Sequence, residues 1–218
     1  MSADAHKEHF WDAELRRFLP DPASALEEAL GYVCCPICYV LADMPFNYFS
    51  VLPKRWEAEP VLRQTVCRAI GFCNHHTWRL NKMQSLLVIA RVYPDVLAAQ
   101  LSAETAPEVC PLCRLQGLAE DALFDVFVER LAEADKREEY RDLFGLCYHH
   151  LHLLLARDLA DAVRDAILES QAERGRALIR LLHAFVEKNE VPARWSRTDA
   201  EKRAPGWALL KTAGNADV

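Results

Sequence analysis

The sequence predicts an all-α protein, a single helical domain built from two pseudo-symmetric halves, and three observations support this. Alanine and leucine dominate the 218 residues and glycine occurs only seven times, a mixture that favours helices. Apolar residues recur at three- and four-residue steps along several segments, and no convincing alternating strand is present. Two short motifs each occur twice, which indicates an internal duplication.

The duplicated motifs divide the chain. The first copy contains Cys35-Pro36-Ile37-Cys38 and Gly71-Phe72-Cys73-Asn74-His75-His76; the second contains Cys110-Pro111-Leu112-Cys113 and Gly145-Leu146-Cys147-Tyr148-His149-His150. The motifs recur at offsets of 75 and 74 residues with both histidines matched. We therefore predict an N-terminal helical arm (1–33), a first repeat (34–105), a second repeat (106–189) and a less regular C-terminal tail packed on the domain (190–218).

Local signals then predict where the helices begin and end. Asp21-Pro22 is typical of an N-cap followed by a first-turn proline, and Pro36 and Pro111 suit the same position. Gly71 and Gly145 are expected where one helix ends before the next begins. Pro45, Pro53, Pro60 and Pro94 are expected to divide the first copy more finely than the second. Helical apolar spacing covers 115–131, 155–167 and 178–186.

Composition and charge exclude several classes of protein. With 51% apolar residues the chain can form a real core, and a net charge of −6 disfavours a general binder of nucleic acid or acidic membranes. The longest strongly apolar run, 151–156, is far short of the roughly 20 residues that a membrane span needs. The first 20 residues lack the apolar stretch of a secretory signal, so a cytoplasmic protein is expected.

In a reducing cytosol, cysteines gathered into motifs indicate metal binding or catalysis before disulfides. Each copy supplies a Cys-x-x-Cys and a Cys-x-x-His, the four ligands of a tetrahedral structural zinc site. We predict two zinc ions per chain. Cys35, Cys38, Cys73 and His76 are expected to form one site, and Cys110, Cys113, Cys147 and His150 the other. A zinc ion with three thiolates carries a net charge of −1, which helix N-termini would offset.

The sequence leaves several alternatives open. His75 and His149 are candidates to replace His76 and His150, although the i, i+3 spacing from each cysteine favours the latter pair. An iron–sulfur cluster is the runner-up cofactor. Cys-Pro-x-Cys also resembles the glutaredoxin active site, but that chemistry needs a βαβ context. Cys34 and Cys67 lie outside the duplication and are expected to be buried apolar thiols, with Cys34 as a substitute ligand.

The sequence favours a non-catalytic role. It lacks a phosphate-binding glycine loop, a His-Glu-x-x-His helix and a nucleophile elbow, and each four-ligand set leaves no open metal position. The 33 or 34 residues between motifs are too many for a DNA-reading finger. Tail residues such as Trp195 and Trp207 are expected to pack on the domain. We predict a binding or adaptor module for an unknown protein or small molecule; the alternative is a metal- or thiol-dependent enzyme or redox sensor.

The four motifs resemble those of an uncharacterised bacterial family whose members carry duplicated CPxC and GxCxxH motifs. The resemblance covers roughly residues 30–210, including Arg203-Ala-Pro-Gly-Trp207-Ala-Leu-Leu, which is similar to the family's helical tail. It implies a bacterial source and metal-binding helices, and it implies no activity. The extra Cys34 departs from the family pattern and affects the choice of ligand at the first site.

Overall fold

The structure is a computed structural model that describes residues 3–102, 106–189 and 193–214. Within these ranges it contains eleven α-helices and no strand, which confirms the predicted all-α class. Parts of the predicted first repeat (103–105) and of the predicted tail (190–192 and 215–218) lie outside the described residues, as do residues 1 and 2 of the arm. The helices are α1 (Ala3–Phe18), α2 (Pro22–Leu30), α3 (Pro36–Ala58), α4 (Pro60–Arg68), α5 (Asn74–Met83), α6 (Leu86–Leu101), α7 (Pro111–Ala132), α8 (Ala134–Arg141), α9 (Tyr148–Leu155), α10 (Asp161–Glu187) and α11 (Asp199–Ala213).

The helices form two compact units. Unit 1 contains Met1–Asp21 and Leu41–Asp121, and unit 2 contains Pro22–Val40 and Ala122–Val218. Two of the boundaries fall inside α3 and α7, so each of these helices contributes its beginning to one unit and its remainder to the other. The units therefore do not coincide with the two copies seen in the sequence.

Helix α3 runs through two prolines that were expected to divide it, so that prediction was wrong. A proline leaves the carbonyl four residues earlier without its helical donor. Those carbonyls are Leu41 and Phe49, and each accepts a hydrogen bond from a glutamine side chain instead. Gln116 Nε2 donates to the Leu41 oxygen at 3.5 Å, and Gln84 Nε2 donates to the Phe49 oxygen at 2.8 Å. The two glutamines replace the bonds that the prolines cannot make.

The other two prolines differ in whether they mark a helix boundary. Pro60 begins α4, as expected of a first-turn proline, whereas Pro94 lies inside α6. The apolar run over 155–167 is also interrupted, because α9 ends at Leu155 and α10 begins at Asp161.

Unit 1 is organised around aromatic side chains and one buried ion pair. Tyr48, Phe49 and Phe72 meet edge to face with ring centroids 5.2–6.1 Å apart. Arg55 on α3 donates two hydrogen bonds to Glu14 on α1, at 2.6 and 2.8 Å, and both side chains are at most 5% exposed. This pair therefore ties α1 to α3 in the interior of the unit.

Unit 2 includes the segment that was predicted to be a less regular tail. It is more regular than expected, because α11 packs against α9 and α10. The Thr198 hydroxyl accepts from the Glu201 N–H while the Glu201 carboxylate accepts from the Thr198 N–H, which forms a capping box. Of the two tryptophans in this segment, Trp207 is half-buried and Trp195 is exposed.

Candidate metal centres

The eight predicted ligands form two groups, but the copies exchange partners. Site A consists of Cys35, Cys38, Cys147 and His150, and site B consists of Cys73, His76, Cys110 and Cys113. In each group the four ligand atoms lie within 4.8 Å of one another. The prediction that each copy builds its own site was therefore wrong.

The exchange follows the boundaries of the two units, which fall inside α3 and α7. The residues of α3 up to Val40 belong to unit 2, with the second copy's Gly-x-Cys-x-x-His motif. The first half of α7 belongs to unit 1, with the first copy's motif. Each Cys-x-x-Cys pair thus lies in the unit of the other copy's histidine motif, and site A is entirely within unit 2 while site B is entirely within unit 1.

In both sites one imidazole nitrogen faces three sulfurs. At site A, His150 Nδ1 lies 3.2 Å from the sulfurs of Cys38 and Cys147 and 3.4 Å from that of Cys35. At site B, His76 Nδ1 lies 3.2 Å from Cys73, 3.4 Å from Cys113 and 3.5 Å from Cys110. A ring nitrogen has one lone pair or one hydrogen, so hydrogen bonding alone does not explain three sulfur neighbours.

The distances match the edges of a zinc tetrahedron. Bonds of about 2.3 Å to sulfur and about 2.0–2.1 Å to nitrogen give edges of about 3.8 Å between sulfurs and about 3.5 Å between sulfur and nitrogen. The sulfurs of Cys38 and Cys147 are 3.7 Å apart, and those of Cys73 and Cys113 are 3.6 Å apart. These separations are far longer than the roughly 2.05 Å of a disulfide. The donor set and its spacing therefore fit one four-coordinate ion in each site.

Helix N-termini hold all four motifs, as predicted. Pro36 and Pro111 are the first residues of α3 and α7, so each Cys-x-x-Cys pair lies at the start of a helix. Cys73 and Cys147 are the N-caps of α5 and α9, with closely similar backbone angles (φ −62°, ψ 168° and φ −72°, ψ 167°). Each site is therefore built where two helix N-termini supply partial positive charge to bound thiolates.

At site A, the pKa values of Cys35 and Cys147 shift in opposite directions. Hydrogen bonds from Cys35, from Cys38 and then from His150 hold the pKa of the Cys147 thiol far below its ordinary value. Burial, followed by hydrogen bonds to Cys147 and Cys38, raises the pKa of Cys35 well above it. A divalent cation would replace these protons and allow all three sulfurs to bind as thiolates.

At site B, burial lowers the pKa of His76 to about 4, which keeps the ring in the neutral form that binds metal. Burial and the neighbouring Cys110 raise the pKa of Cys113 to about 12. Burial also raises the pKa of Cys110, while backbone N–H donors of Cys113, Cys73 and Leu112 act in the opposite direction. Those amide donors would stabilise a bound thiolate.

Glutamine side chains support both sites. The side chain of Gln116 hydrogen-bonds the His76 ring. At site A, Gln171 Nε2 donates to the Leu146 carbonyl at 2.7 Å, which holds the residue before Cys147. Lys211 Nζ donates to the carbonyl of Phe144 and to Gln171 Oε1, both at 2.5 Å. Such outer contacts orient metal ligands, and sequence reasoning had not identified them.

Gly145 is required by this arrangement. Its φ is +79°, and a Cβ atom there would lie 2.9 Å from Gln171 Oε1 and 3.1 Å from Lys211 Nζ. The first-copy equivalent, Gly71, also has a positive φ of +87°. Both glycines thus allow the turn that brings the following cysteine to its site, in accordance with the predicted break between helices.

The remaining candidates lie outside the two sites. His75 and His149 are exposed, and neither belongs to site A or site B. Cys34 and Cys67 are half-buried, less than the buried thiols that were expected, and burial raises the pKa of each. The i, i+3 spacing predicts His76 and His150 as the ligands, and these are the two histidines that the structure places in sites A and B.

Comparisons with protein-family models, curated proteins and solved structures give no match to this chain. The resemblance of the motifs to a bacterial family therefore stays a prediction. No helix within the described part of the chain is both long enough and apolar enough to span a membrane.

Proposed function

We propose that this chain is a zinc protein in which sites A and B each hold one structural ion, and that it serves as a binding or adaptor module. The observation that carries the zinc assignment is the geometry of the ligand atoms. In each site three sulfurs surround one Nδ1 at 3.2–3.5 Å, the spacing of one tetrahedral ion.

The same geometry favours zinc over an iron–sulfur cluster. The ligands of a cluster bind different irons that are bridged by sulfide. Here the four ligand atoms of each site lie within 4.8 Å of one another, which leaves room for a single ion. Three thiolates and one imidazole are a common donor set for structural zinc.

Metal analysis of the purified chain tests this assignment. We expect two zinc ions per chain, a colourless protein and six ligand thiols whose reaction with an alkylating agent is accelerated by chelation. The matched control is Cys34→Ser with Cys67→Ser, which should retain both ions because neither residue belongs to a site. A brown protein with charge-transfer absorbance, or a chain without zinc, would contradict the proposal.

The structural role is supported by what each site joins. Site A connects the start of α3 to the start of α9, and site B connects the start of α7 to the start of α5. Four protein ligands fill each tetrahedron, so the metal has no open position for catalysis. Reduced thiols held in this way suit a cytoplasmic protein.

The binding role is supported by exposed apolar side chains on α5 and in the first turn of α6. Trp78, Leu86 and Leu87 are 59–79% exposed. Exposed aromatic and aliphatic side chains of this kind are typical of partner contacts. Affinity purification from the native host with the wild type and with Trp78→Ser/Leu87→Ser as baits tests this role. A partner retained equally by both baits would show that Trp78 and Leu87 take no part in its binding.

A further inference from the structure

The two sites differ in their access to solvent. All four ligands of site A are at most 2% exposed. At site B, His76 and Cys110 are buried, but Cys73 is half-buried and Cys113 is exposed. The sulfurs of these two accessible cysteines are only 3.6 Å apart.

Site A is covered in part by the end of α11. Gly214 follows that helix with a φ of +76°, and a Cβ atom at Gly214 would lie 2.9 Å from the Cys38 sulfur. The backbone of Gly214 thus packs directly on the Cys38 sulfur of site A, and the side chain of Cys147 lies near the same Cβ position. A reagent in solvent therefore meets a closed site A and an open edge of site B.

We propose that site B is an oxidation site, at which a hydroperoxide converts Cys73 and Cys113 to a disulfide and releases the zinc ion. This inference rests on the proposed function, since it requires zinc at both sites. Thiolates are the nucleophilic form of cysteine, and oxidation follows thiolate character and exposure. Among the thiolates that zinc would hold in this chain, Cys113 is the exposed one.

The reaction balances with one hydroperoxide. The Cys113 thiolate attacks a peroxide oxygen, the O–O bond breaks, and a sulfenic acid and a hydroxide form when the reagent is hydrogen peroxide. The Cys73 thiolate then attacks the Cys113 sulfur, an S–S bond forms, and a second hydroxide leaves. Two electrons pass from the two thiolates to the peroxide, and solvent protonates the hydroxides. The disulfide would leave site B with only His76 and Cys110 as ligands, too few to hold a zinc ion.

Peroxide-driven zinc release from the full-length, zinc-loaded chain tests this inference. Hydrogen peroxide is added in the presence of a chromogenic zinc chelator, and disulfides are mapped by peptide mass spectrometry. We expect one of the two ions to leave at least about ten times faster than the other, with a Cys73–Cys113 disulfide and intact Cys38 and Cys147. Release of both ions at one rate, release from site A first, or no release would overturn the inference.

A second variant separates reactivity from ligand loss. Cys113→His replaces the exposed thiolate with an imidazole, which zinc also accepts as a ligand, so peroxide-driven release from the variant should slow at least about tenfold. Release from this variant at the wild-type rate would contradict the role of Cys113. If the variant does not hold its second ion, the disulfide map of the wild type decides. Absence of zinc from the untreated wild type would refute the proposed function itself, whereas two stable ions that resist peroxide would refute only this inference.

Discussion

The side chain of Gln116 hydrogen-bonds the ring of His76 and also donates to the carbonyl that Pro45 leaves without a helical donor. One glutamine on α7 thereby supports an irregularity in α3 and orients a ligand of site B. The link joins a feature of the fold to a feature of the metal site, because both depend on the same side chain.

Gln116→Leu should weaken zinc binding at site B by about 10- to 100-fold, because the imidazole loses the partner that orients it. Competition with a chelator of known affinity measures the change. Gln84→Leu is the matched control, since Gln84 supports the carbonyl opposite Pro53 in the same way. The control should lower the free energy of unfolding without changing zinc affinity; equal zinc affinities in all three proteins would contradict the role of Gln116.

Gly145→Ala should destabilise unit 2 by about 1–2 kcal/mol or more, because alanine disfavours a positive φ. The added Cβ would also displace Gln171 and Lys211. Gly175→Ala is the control: it lies in α10, and nothing is within 4 Å of its Cβ position. That change should stabilise by about 0.5–1 kcal/mol. Chemical denaturation gives the free energy of unfolding of both variants. If Gly145→Ala leaves it unchanged, glycine is not required at position 145.

Arg55→Met should cost about 3–5 kcal/mol, because the buried carboxylate of Glu14 loses both of its hydrogen-bond donors and keeps only Arg17, whose Nε lies 3.7 Å away. Arg91 forms an exposed pair with Glu57 and offers a control. Arg91→Met should change the free energy of unfolding by about 0–1 kcal/mol. Similar losses of unfolding free energy in the two variants would show that burial of the Arg55–Glu14 pair does not add to its contribution to stability.

Low pH should lower the folding stability of unit 1, because the carboxylate of Glu59 becomes protonated. Hydrogen bonds from Arg55 lower the pKa of Glu59 below its ordinary value of 4.5. The folded state therefore holds this carboxylate charged to a lower pH than the unfolded state, so its stabilisation is present above pH 4.5. It is lost as the pH falls through the folded-state pKa. In urea titrations from pH 7 to pH 3, Glu59→Gln should lose less stability than the wild type, and parallel curves would contradict this.

The local features of the fold were accessible from sequence, whereas the pairing of the motifs was not. Pro36, Pro111, Gly71 and Gly145 mark helix starts and turns through the geometry of their own backbones, and these predictions hold. The choice of partner for each Cys-x-x-Cys pair depends on which unit receives the start of α3 and α7. Pairing within each copy and pairing between the copies use the same motifs at the same helix N-termini. No local sequence pattern therefore distinguishes the two pairings.

The unbroken course of α3 escaped prediction for a related reason. Proline disfavours a helix interior through a local clash and a lost hydrogen bond. The donors that compensate, Gln84 and Gln116, lie 35 and 75 residues away from the carbonyls that they bond. A glutamine in the sequence carries no mark of such a role. Long-range contacts of this kind become visible only in the folded chain.

The exchanged pairing of the motifs is tested most directly by counting zinc in two double variants. Cys38→Ser/Cys147→Ser removes two ligands from site A alone, so one zinc ion per chain should remain. Cys38→Ser/Cys73→Ser removes one ligand from each site, so both ions should be lost or bound far more weakly. The opposite pattern, with both ions lost from the first variant and one retained by the second, would show that each copy builds its own site.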